Sequence, residues 1–546
     1  MPHFTVTRTV DTTEAGRLLA PRHDVVEERP ADGTEAAEGA ESAGGAGIGD
    51  RTVAFTLAHG PFARYERRVT VSTADGDGDR AVTVTQDFDY QLPPGTWPFL
   101  MNRPFRAALR RPRADDRLPW WYPPQRPDAR GATVLGLLAT LSLIVGYHGT
   151  LLTQTMTFAA DEFGAGRAAQ GDALAAVRIG GIIAIYLGVV ADRRGRRMVL
   201  SLSLLGCVAA TAAGALAPSL AGLAVTQAVN RGAWAASSLL LAIIAAEEMP
   251  AGARAYSLSL LSMTGALGAG AALWLLPVAD ISTRSWRLLY LVPLLFVPLI
   301  VRFGRLVPES RRFARPHRNV AFAGHYGRLL LVAGAAFLLN VFMAPQSQFR
   351  NEFLRDERGM AAAAVSLFVL VTSTPAGIGI MAGGRLADTR GRRVVGATGI
   401  CVGTVLLTLS FTLDGAAMWA AALVGGIFAA ALVPTITVYG PELFPTSLRG
   451  RANGIVSTTA MGGSVVGLMA AGRLEEATGS FGRALAVLAV APLAMAVVVV
   501  AWFPETARRE LEDLNPEDRT AAERALPTAG PGAAPGADGV ETVTSG

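Results

Sequence analysis

Long apolar runs separated by short polar segments occupy the chain from Ala132 to Phe503. Each run is close to the roughly 20 residues that a helix needs to cross a hydrocarbon core of ~30 Å. Glycine and proline occur inside several runs, and membrane helices tolerate both. We therefore predict twelve membrane-spanning helices, at residues 132–159, 170–190, 198–217, 221–246, 256–278, 286–303, 327–345, 362–383, 394–413, 416–438, 451–472 and 483–503.

The polar regions at the two ends of the chain follow other patterns. Residues 12–50 are rich in Ala, Gly, Glu and Asp, which predicts disorder. Residues 67–72 and 81–85 alternate apolar and polar positions around a Gly/Asp-rich turn, which predicts a β-hairpin. Because an isolated hairpin is marginally stable in water, we expect a small β-containing domain around it. The segment after Phe503 becomes polar and then rich in Pro, Gly and Ala, which is typical of a disordered tail.

The predicted fold is an all-α membrane protein with twelve transmembrane helices in two pseudo-symmetric six-helix bundles, preceded by an extension that contains the hairpin. The predicted domains are a disordered segment at residues 1–50, a β-containing extension at 51–130, an N-terminal bundle at 131–303, a linker at 304–325, a C-terminal bundle at 326–505 and a disordered tail at 506–546.

Composition excludes a soluble protein and argues against nucleic-acid binding. Hydrophobic residues make up 51% of the chain and charged residues only 17%, which is too few to cover the surface of a soluble protein of this size. The chain has no lysine. Its arginines cluster in short loops between apolar runs, an arrangement that orients membrane proteins. The loops that follow even-numbered spans carry more arginines than the opposite loops, so we predict a multi-pass plasma-membrane protein with both termini in the cytoplasm.

Three motifs occur twice, in the same order and at nearly one offset. The segment from Gly188 to Arg197 returns from Gly384 to Arg393, a shift of 196 residues. Glu247, Pro250 and Arg254 return as Glu442, Pro445 and Arg449, a shift of 195 residues. Pro308-Glu309-Ser310 returns as Pro504-Glu505-Thr506. The second group of six spans therefore duplicates the first, which is the parallel-repeat organisation of many secondary transporters.

These motifs resemble those of a known family. The sequence Gly188-x-x-x-Asp192-Arg-x-Gly195-Arg196-Arg197 looks like the signature loop of the major facilitator superfamily. Pro441 to Gly450, together with the Pro-Glu-Ser and Pro-Glu-Thr motifs, resembles its sugar porter branch and metabolite:proton symporters. The resemblance covers roughly residues 131–513 and implies a transporter that works by alternating access, not an enzyme.

We predict that the repeated charges form a cytoplasmic gate, which closes by ion pairs and opens when the halves separate. The alternative is that they only fix topology, but positive-inside orientation requires arginines and not repeated glutamates. The predicted gate residues are Gly188, Asp192, Arg193, Gly195, Arg196, Arg197, Glu247, Arg254, Glu309, Gly384, Asp388, Gly391, Arg392, Glu442, Arg449 and Glu505.

Polar residues inside spans are costly and often mark a substrate path. His148 follows Gly-Tyr where many sugar porters place a proton-carrying aspartate, so it is a coupling candidate; the alternative is a hydrogen-bonded histidine, or one that merely lines the cavity. Without that aspartate, the protein could instead be a uniporter. Arg178 and Arg231 would suit an anionic substrate, although Arg178 could instead snorkel or pair with Asp172, and Arg231 could belong to the charge network. Span seven lacks the glutamine-rich pattern of sugar porters, which weakens a sugar assignment. The substrate and coupling candidates are His148, Gln154, Arg178, Gln227, Arg231, Asn340 and Gln346.

The chain shows no phosphate-binding loop of the Gly-Lys-Ser/Thr type and no metal-ligand or nucleophile–base cluster. We therefore predict no cofactor, and a monomer in membrane lipid that moves a small polar metabolite (a sugar, polyol or organic acid) with protons. One alternative is a drug or metabolite efflux antiporter, although span five lacks the Gly-Pro pattern of such proteins. Another is a transporter-like sensor, which would need residues 1–130 for its signal.

Overall fold

The computed structural model describes residues 2–31, 51–73, 81–93, 95–111, 118–165, 167–314, 322–360 and 362–518. An N-terminal domain precedes the membrane helices. Its strands and helices are β1 (His3–Asp11), α1 (Thr12–Leu18), β2 (Glu27–Pro30), β3 (Arg51–His59), β4 (Arg64–Thr73), β5 (Ala81–Gln91) and α2 (Pro98–Arg110).

The five strands form one antiparallel sheet in the order β1-β5-β4-β3-β2. Strands β4 and β5 pair with Val71 opposite Val84, which confirms the predicted hairpin. The prediction of disorder over residues 1–50 is wrong for residues 2–31, because β1, α1 and β2 complete this sheet. The alternating pattern of β1 was the missed signal: Phe4 is buried, and its ring stacks on Phe88 with centroids 4.8 Å apart. Residues 32–50 lie outside the described residues.

A buried ion pair joins β2 to the hairpin. The Arg67 guanidinium contacts the Glu28 carboxylate at 2.6 Å, and the Tyr65 hydroxyl donates to the same carboxylate at 2.6 Å. The Arg67 side chain also donates to the Leu18 carbonyl at 2.8 Å. Because the side chains of Arg67 and Glu28 are almost fully buried, each depends on the other for compensation of its lost hydration.

The helical region follows. Its first half contains α3 (Ala129–Phe163), α4 (Arg167–Ile179), α5 (Ile183–Arg194), α6 (Arg196–Ala215), α7 (Leu220–Glu248), α8 (Arg254–Leu275), α9 (Trp286–Leu291), α10 (Val297–Leu306) and α11 (Arg311–Ala314). Its second half contains α12 (Tyr326–Gln348), α13 (Arg350–Glu352), α14 (Ala362–Ser373), α15 (Ala376–Arg390), α16 (Arg392–Leu409), α17 (Gly415–Leu443), α18 (Arg449–Thr478), α19 (Phe481–Leu488), α20 (Val490–Trp502) and α21 (Leu511–Leu514).

Within the described residues, eleven helical segments are long and apolar enough to cross a membrane. The predicted second span is the exception. In it, a 3₁₀ turn at Gly180–Ile182 joins α4 to α5, and several side chains of α4 lie outside the described ones. A second 3₁₀ turn, at Val292–Phe296, divides span six into α9 and α10. Pro293 lies in this turn and has no backbone N–H to donate, which accounts for the break.

The predicted disordered tail is also partly ordered. Residues 506–518 fold back against the gate side of the second half, where α21 buries Leu511. The Asn515 side-chain amide donates to the Glu442 carbonyl at 2.7 Å. This contact anchors the segment, so the prediction of disorder is wrong for these residues. Residues 519–546 lie outside the described residues.

We expect Arg67→Ala to unfold the N-terminal domain locally, because it leaves the Glu28 carboxylate buried without its cation. Removing one partner of a buried pair costs about 3–5 kcal/mol. Hydrogen exchange of β2, β3 and β4 in the full-length protein should speed up accordingly. Arg68→Ala is the matched control, since the Arg68 side chain is exposed and pairs only with Glu66 among the described residues. Equal exchange in the two variants would contradict the role assigned to the buried pair.

A charged gate and a central cavity

Two aspartates join the halves by capping helices of the opposite half. The Asp192 carboxylate, at the end of α5, accepts hydrogen bonds from the amides of Gly450 and Arg451 at 2.9 Å each. The Asp388 carboxylate, at the end of α15, accepts from the amides of Ala255 and Tyr256 at 3.2 and 2.9 Å. Helix N-termini favour negative charge because their first amides have no intrahelical partner. Each half thus places an anion on a helix terminus of the other.

Two buried glutamates bind an arginine from each half. Glu247 contacts Arg196 of its own half and Arg449 of the other half. Glu442 contacts Arg392 of its own half, and it lies 3.4 Å from the Arg254 guanidinium of the other half. All six side chains are fully buried. The two guanidiniums compensate the charge of each glutamate, which is buried away from water. Loss of one partner at such a site lowers the stability strongly.

The glutamates of the two Pro-Glu motifs cap helices within their own halves. Glu309 accepts hydrogen bonds from the amides of Arg196 and Arg197 at 3.0 and 3.4 Å. Glu505 accepts from those of Arg392 and Arg393 at 2.9 and 3.1 Å. These contacts orient the arginines of the gate.

The predicted glycines lie where a side chain would collide. Gly195 and Gly391 have φ of 107° and 102°, in the region that favours glycine. A Cβ on Gly188 would come within 2.5 Å of the Gly450 carbonyl oxygen, and a Cβ on Gly384 would come within 2.6 Å of the Ala255 carbonyl oxygen. These two glycines permit backbone contact between the halves.

The other predicted gate residues take minor positions. The Arg197 side chain donates to the Gly304 carbonyl at 2.8 Å within its own half. Arg193 is exposed at the end of α5. Neither residue bridges the halves in the described contacts. The predicted gate arginines whose guanidiniums do so are Arg254, Arg449 and Arg196, which donates to the Thr446 carbonyl at 2.8 Å.

Several gate contacts were not predicted from the sequence. Asp518 accepts from the Thr446 amide at 2.9 Å and contacts the Arg449 guanidinium at 3.3 Å. The Arg130 guanidinium contacts Glu248 at 3.1 Å. Asp518 lies in the segment predicted to be a disordered tail. Glu248 stands next to the repeated Glu247, but nothing equivalent occurs beside Glu442, so the repeat gave no signal for it.

The N-terminal domain contacts both halves beside the gate. The Tyr256 hydroxyl of the first half donates to the Trp121 carbonyl at 2.5 Å, and the Gly252 amide donates to the Gln125 side chain at 2.7 Å. The Arg385 guanidinium of the second half donates to the carbonyls of Trp120 and Tyr122. Residues 120–125 therefore form a strap across the junction of α8 and α15.

A cavity of about 540 Å³ lies between the halves. Its described lining contains two cations, Arg178 and Arg231, and no carboxylate. The Arg231 guanidinium stands 4.3 Å above the centre of the Trp234 ring, a cation–π contact. Neither arginine has an ion-pair partner among the side chains that the structure describes. The cavity also exposes uncharged polar side chains, from Ser238, Asn340, Ser347, Gln348, Asn453, Ser457 and Ser464.

The sequence candidates divide between this cavity and the helix packing. Asn340 lines the cavity, and its side-chain oxygen accepts from Ser464 at 3.3 Å. His148 is buried outside the cavity lining, with Nδ1 3.0 Å from the Thr211 hydroxyl. The Gln227 oxygen accepts from Asn230 at 3.1 Å. Gln154 and Gln346 also lie outside the lining. The structure thus brings Arg178, Arg231 and Asn340 together and leaves the other four candidates elsewhere.

Comparisons with known proteins agree with this architecture. The family model of the Major Facilitator Superfamily matches residues 329–531. The puromycin resistance protein pur8 of Streptomyces alboniger is 37% identical over 99 residues, which make up 18% of this chain. The match spans only 20% of the length of that relative.

Solved structures share the fold over most of the chain. The proton:xylose symporter XylE bound to 6-bromo-6-deoxy-D-glucose has a TM-score of 0.60 at 17% identity, over 70% of this chain and 99% of that one. The human organic anion transporter MFSD10 has a TM-score of 0.57 at 14% identity, over 69% and 100%. A variant of the Escherichia coli fucose:proton symporter FucP has a TM-score of 0.55 at 16% identity, over 67% and 97%.

The chain is therefore a multi-pass membrane protein with the fold of a transporter rather than of an enzyme. Its fold and the match of its second half confirm the resemblance to transporters of the Major Facilitator Superfamily that the sequence predicts.

We expect Gly188→Ala to hold the halves apart at the gate, because the added methyl group would meet the Gly450 carbonyl. Overpacking of this kind costs about 1–3 kcal/mol. Spin labels at Arg194→Cys and Arg390→Cys, in a background without native cysteines, should report longer separations between the halves. Gly206→Ala is the matched control, since its Cβ would approach nothing closer than 3.7 Å. The prediction fails if both variants give the separation of the parent protein.

Proposed function

We propose that the protein is a secondary transporter that moves a small organic anion through the central cavity by alternating access. The observation that carries this proposal is the pair of guanidiniums, Arg178 and Arg231, in a cavity whose described lining has no carboxylate. Both side chains are half-buried, and a cation held partly away from water without an anion is costly. An anionic substrate would offset that cost when it binds.

The rest of the lining supports a small substrate with both polar and apolar parts. Asn340 and Gln348 can hydrogen-bond hydroxyl or carbonyl groups, while Trp234 and Met461 offer apolar surface. Within the predicted range of sugars, polyols and organic acids, the two arginines favour the acids. The fold neighbour described as an organic anion transporter supports the same choice.

The gate supplies the second part of the proposal. With its ion pairs formed, the halves are closed at one end of the cavity, beyond Gly440 and Asn453. Opening at this end requires separation of Glu247 from Arg449 and of Glu442 from Arg254. Rocking of the two halves about the cavity would then expose the substrate to each side of the membrane in turn. We infer from the loop arginines that the gate faces the cytoplasm of a monomeric plasma-membrane protein, with both termini inside.

The main alternative is an efflux antiporter for drugs or metabolites, which the match to a puromycin resistance protein favours. The cavity discriminates between the two functions. Two arginines without a described counter-ion would repel a cationic drug and attract a carboxylate. A transporter-like sensor is the other alternative, and the contacts of the strap with both halves support it.

We expect uptake of carboxylates, but not of uncharged analogues, to depend on the two arginines. Arg178→Gln and Arg231→Gln should each raise KM for a transported carboxylate roughly ten- to a hundredfold, because a hydrogen bond to a charged group contributes about 1.5–3 kcal/mol. Uptake into proteoliposomes measures this effect. Arg284→Gln is the control, since Arg284 is exposed and contacts Glu162 rather than the cavity. Preferential transport of cations by the parent protein would contradict the proposal.

Proton coupling is tested in the same vesicles with an imposed pH gradient. If protons move with the anion, the gradient should drive its accumulation above the equilibrium level. Because His148 contacts Thr211 outside the cavity lining, we expect His148→Ala to leave KM unchanged and to alter only the accumulation ratio. Thr211→Val is a matched variant that removes the hydroxyl contact and keeps the imidazole. Uptake that ignores the gradient in every variant would exclude proton coupling.

A further inference from the structure

The N-terminal domain exposes a few large apolar side chains at or near residues that contact the membrane helices. Among the described residues before the first span, Phe99 is 83% exposed, Leu100 is 54% exposed and Trp120 is 76% exposed. Leaving a phenylalanine, a leucine and a tryptophan in water would cost free energy in proportion to their area. Together with the half-buried Trp97, we call these residues the apolar edge.

Trp97 places one end of the apolar edge beside the first membrane span. Its indole Nε1 donates to the Thr140 hydroxyl of α3 at 2.8 Å. The carbonyl oxygen of Gly95 lies only 2.1 Å from where a Cβ on Gly136 would stand, so the loop backbone packs directly on the span. Thr140 is eleven residues beyond the start of α3, which is roughly 16 Å along the helix axis.

The position of the gate along α3 shows that the loop around Gly95 and Trp97 reaches toward the bilayer. Arg130, at the start of α3, pairs with Glu248 of the gate region. The contact at Thr140 therefore lies deeper along the span than the gate does. Phe99 and Leu100 follow Trp97 after Pro98, in the first turn of α2. Both side chains are exposed, two and three residues after the tryptophan that contacts α3.

Trp120 places the other end of the apolar edge beside span eight. Its carbonyl accepts from the Arg385 guanidinium at 3.3 Å. Leu386, the next residue of α15, is 42% exposed on the surface of this membrane helix. Two tryptophans of one domain thus lie beside two different spans. Tryptophan is enriched at membrane–water interfaces, because its ring is apolar and its N–H is polar.

The charge of α2 fits a lipid surface. The segment Pro98–Arg111 carries four arginines and no acidic residue. Arg103, Arg106 and Arg110 are exposed, the latter two with their guanidiniums over the Phe4 ring. They follow Phe99 and Leu100 along α2, farther along the chain from the contact of Trp97 with α3. Arginines behind an apolar tip match the order of headgroups and acyl chains in a leaflet.

We propose that the apolar edge inserts into the interfacial layer of the leaflet on the gate side, and that the arginines of α2 bind anionic lipid headgroups there. The N-terminal domain is then held to the bilayer as well as to the spans. This proposal rests on the membrane fold and the position of the domain, and does not depend on the identity of the transported substrate.

The test uses the full-length protein in vesicles, with a nitroxide label at Phe99→Cys and with Cys207→Ala and Cys401→Ala to remove the native thiols. Collisions with oxygen, which concentrates in lipid, are compared with collisions with a water-soluble nickel chelate. The matched control is a label at Thr52→Cys, an exposed position on β3. We expect oxygen to dominate at position 99 and the nickel chelate to dominate at position 52.

Two results would overturn insertion. One is equal access of the nickel chelate to both positions, which would mean that the apolar edge lies in water. The other is protection of position 99 from both reagents, which would mean that a protein surface, such as a second copy of the chain, covers it. Because Phe99 is largely exposed, the label should not disturb the fold; unchanged hydrogen exchange of β4 and β5 verifies this.

The lipid composition tests the arginines. The label should lie deeper in vesicles that contain phosphatidylglycerol than in pure phosphatidylcholine, and Arg103→Gln with Arg106→Gln should abolish that difference. Thr7→Gln, an exposed uncharged position on β1, is the control that should retain it. Equal depth in both kinds of vesicle for the parent protein would overturn headgroup binding by these arginines.

Discussion

The sharing of each buried glutamate between two arginines is the interaction on which the closed arrangement depends. Glu247 and Glu442 each bind one guanidinium from their own half and one from the other half. In the transport cycle that we propose, each glutamate would keep the arginine of its own half when the halves separate. Neither carboxylate would then be left without a cation, so the free-energy difference between closed and open gates would stay well below the full cost of burying an isolated charge. Such a network suits a reversible switch.

The aspartates and glycines make this sharing geometrically possible. Asp192 and Asp388 draw helix N-termini of the opposite half toward the gate, and Gly188 and Gly384 remove the side chains that would keep the backbones apart. The charges and the close packing are interdependent, because ion pairs at these distances need contact between the helices. This explains why the glycine and the aspartate recur together at a spacing of one helical turn in both repeats.

Sequence reasoning worked where a pattern repeats and failed where stability comes from contacts distant in sequence. The duplication of Asp192 and Glu247 at a nearly constant offset predicted residues that meet at the gate, and the apolar runs predicted the spans. The burial of His148 against Thr211 could not be predicted. The hydrophobic pattern of a helix that is apolar on all sides does not show which side faces a neighbouring helix. Strand β1 alternates clearly but pairs with β5 far along the chain, and Asp518 binds the gate from a segment whose polar composition suggested disorder. Composition predicts how a segment would behave in isolation, but it does not show which residues elsewhere in the chain the segment contacts.

The strap makes the arrangement of the two duplicated halves asymmetric. Residues 120–125 cross the junction of α8 and α15. At the equivalent junction of α5 and α18 the contacts come from the linker between the halves, where Phe313 lies against Arg196 and Phe322 lies against Arg451. The N-terminal domain therefore holds one junction between the halves, through Trp121 and Tyr122. In the transport cycle that we propose, separation of α8 from α15 would have to break these contacts on one side.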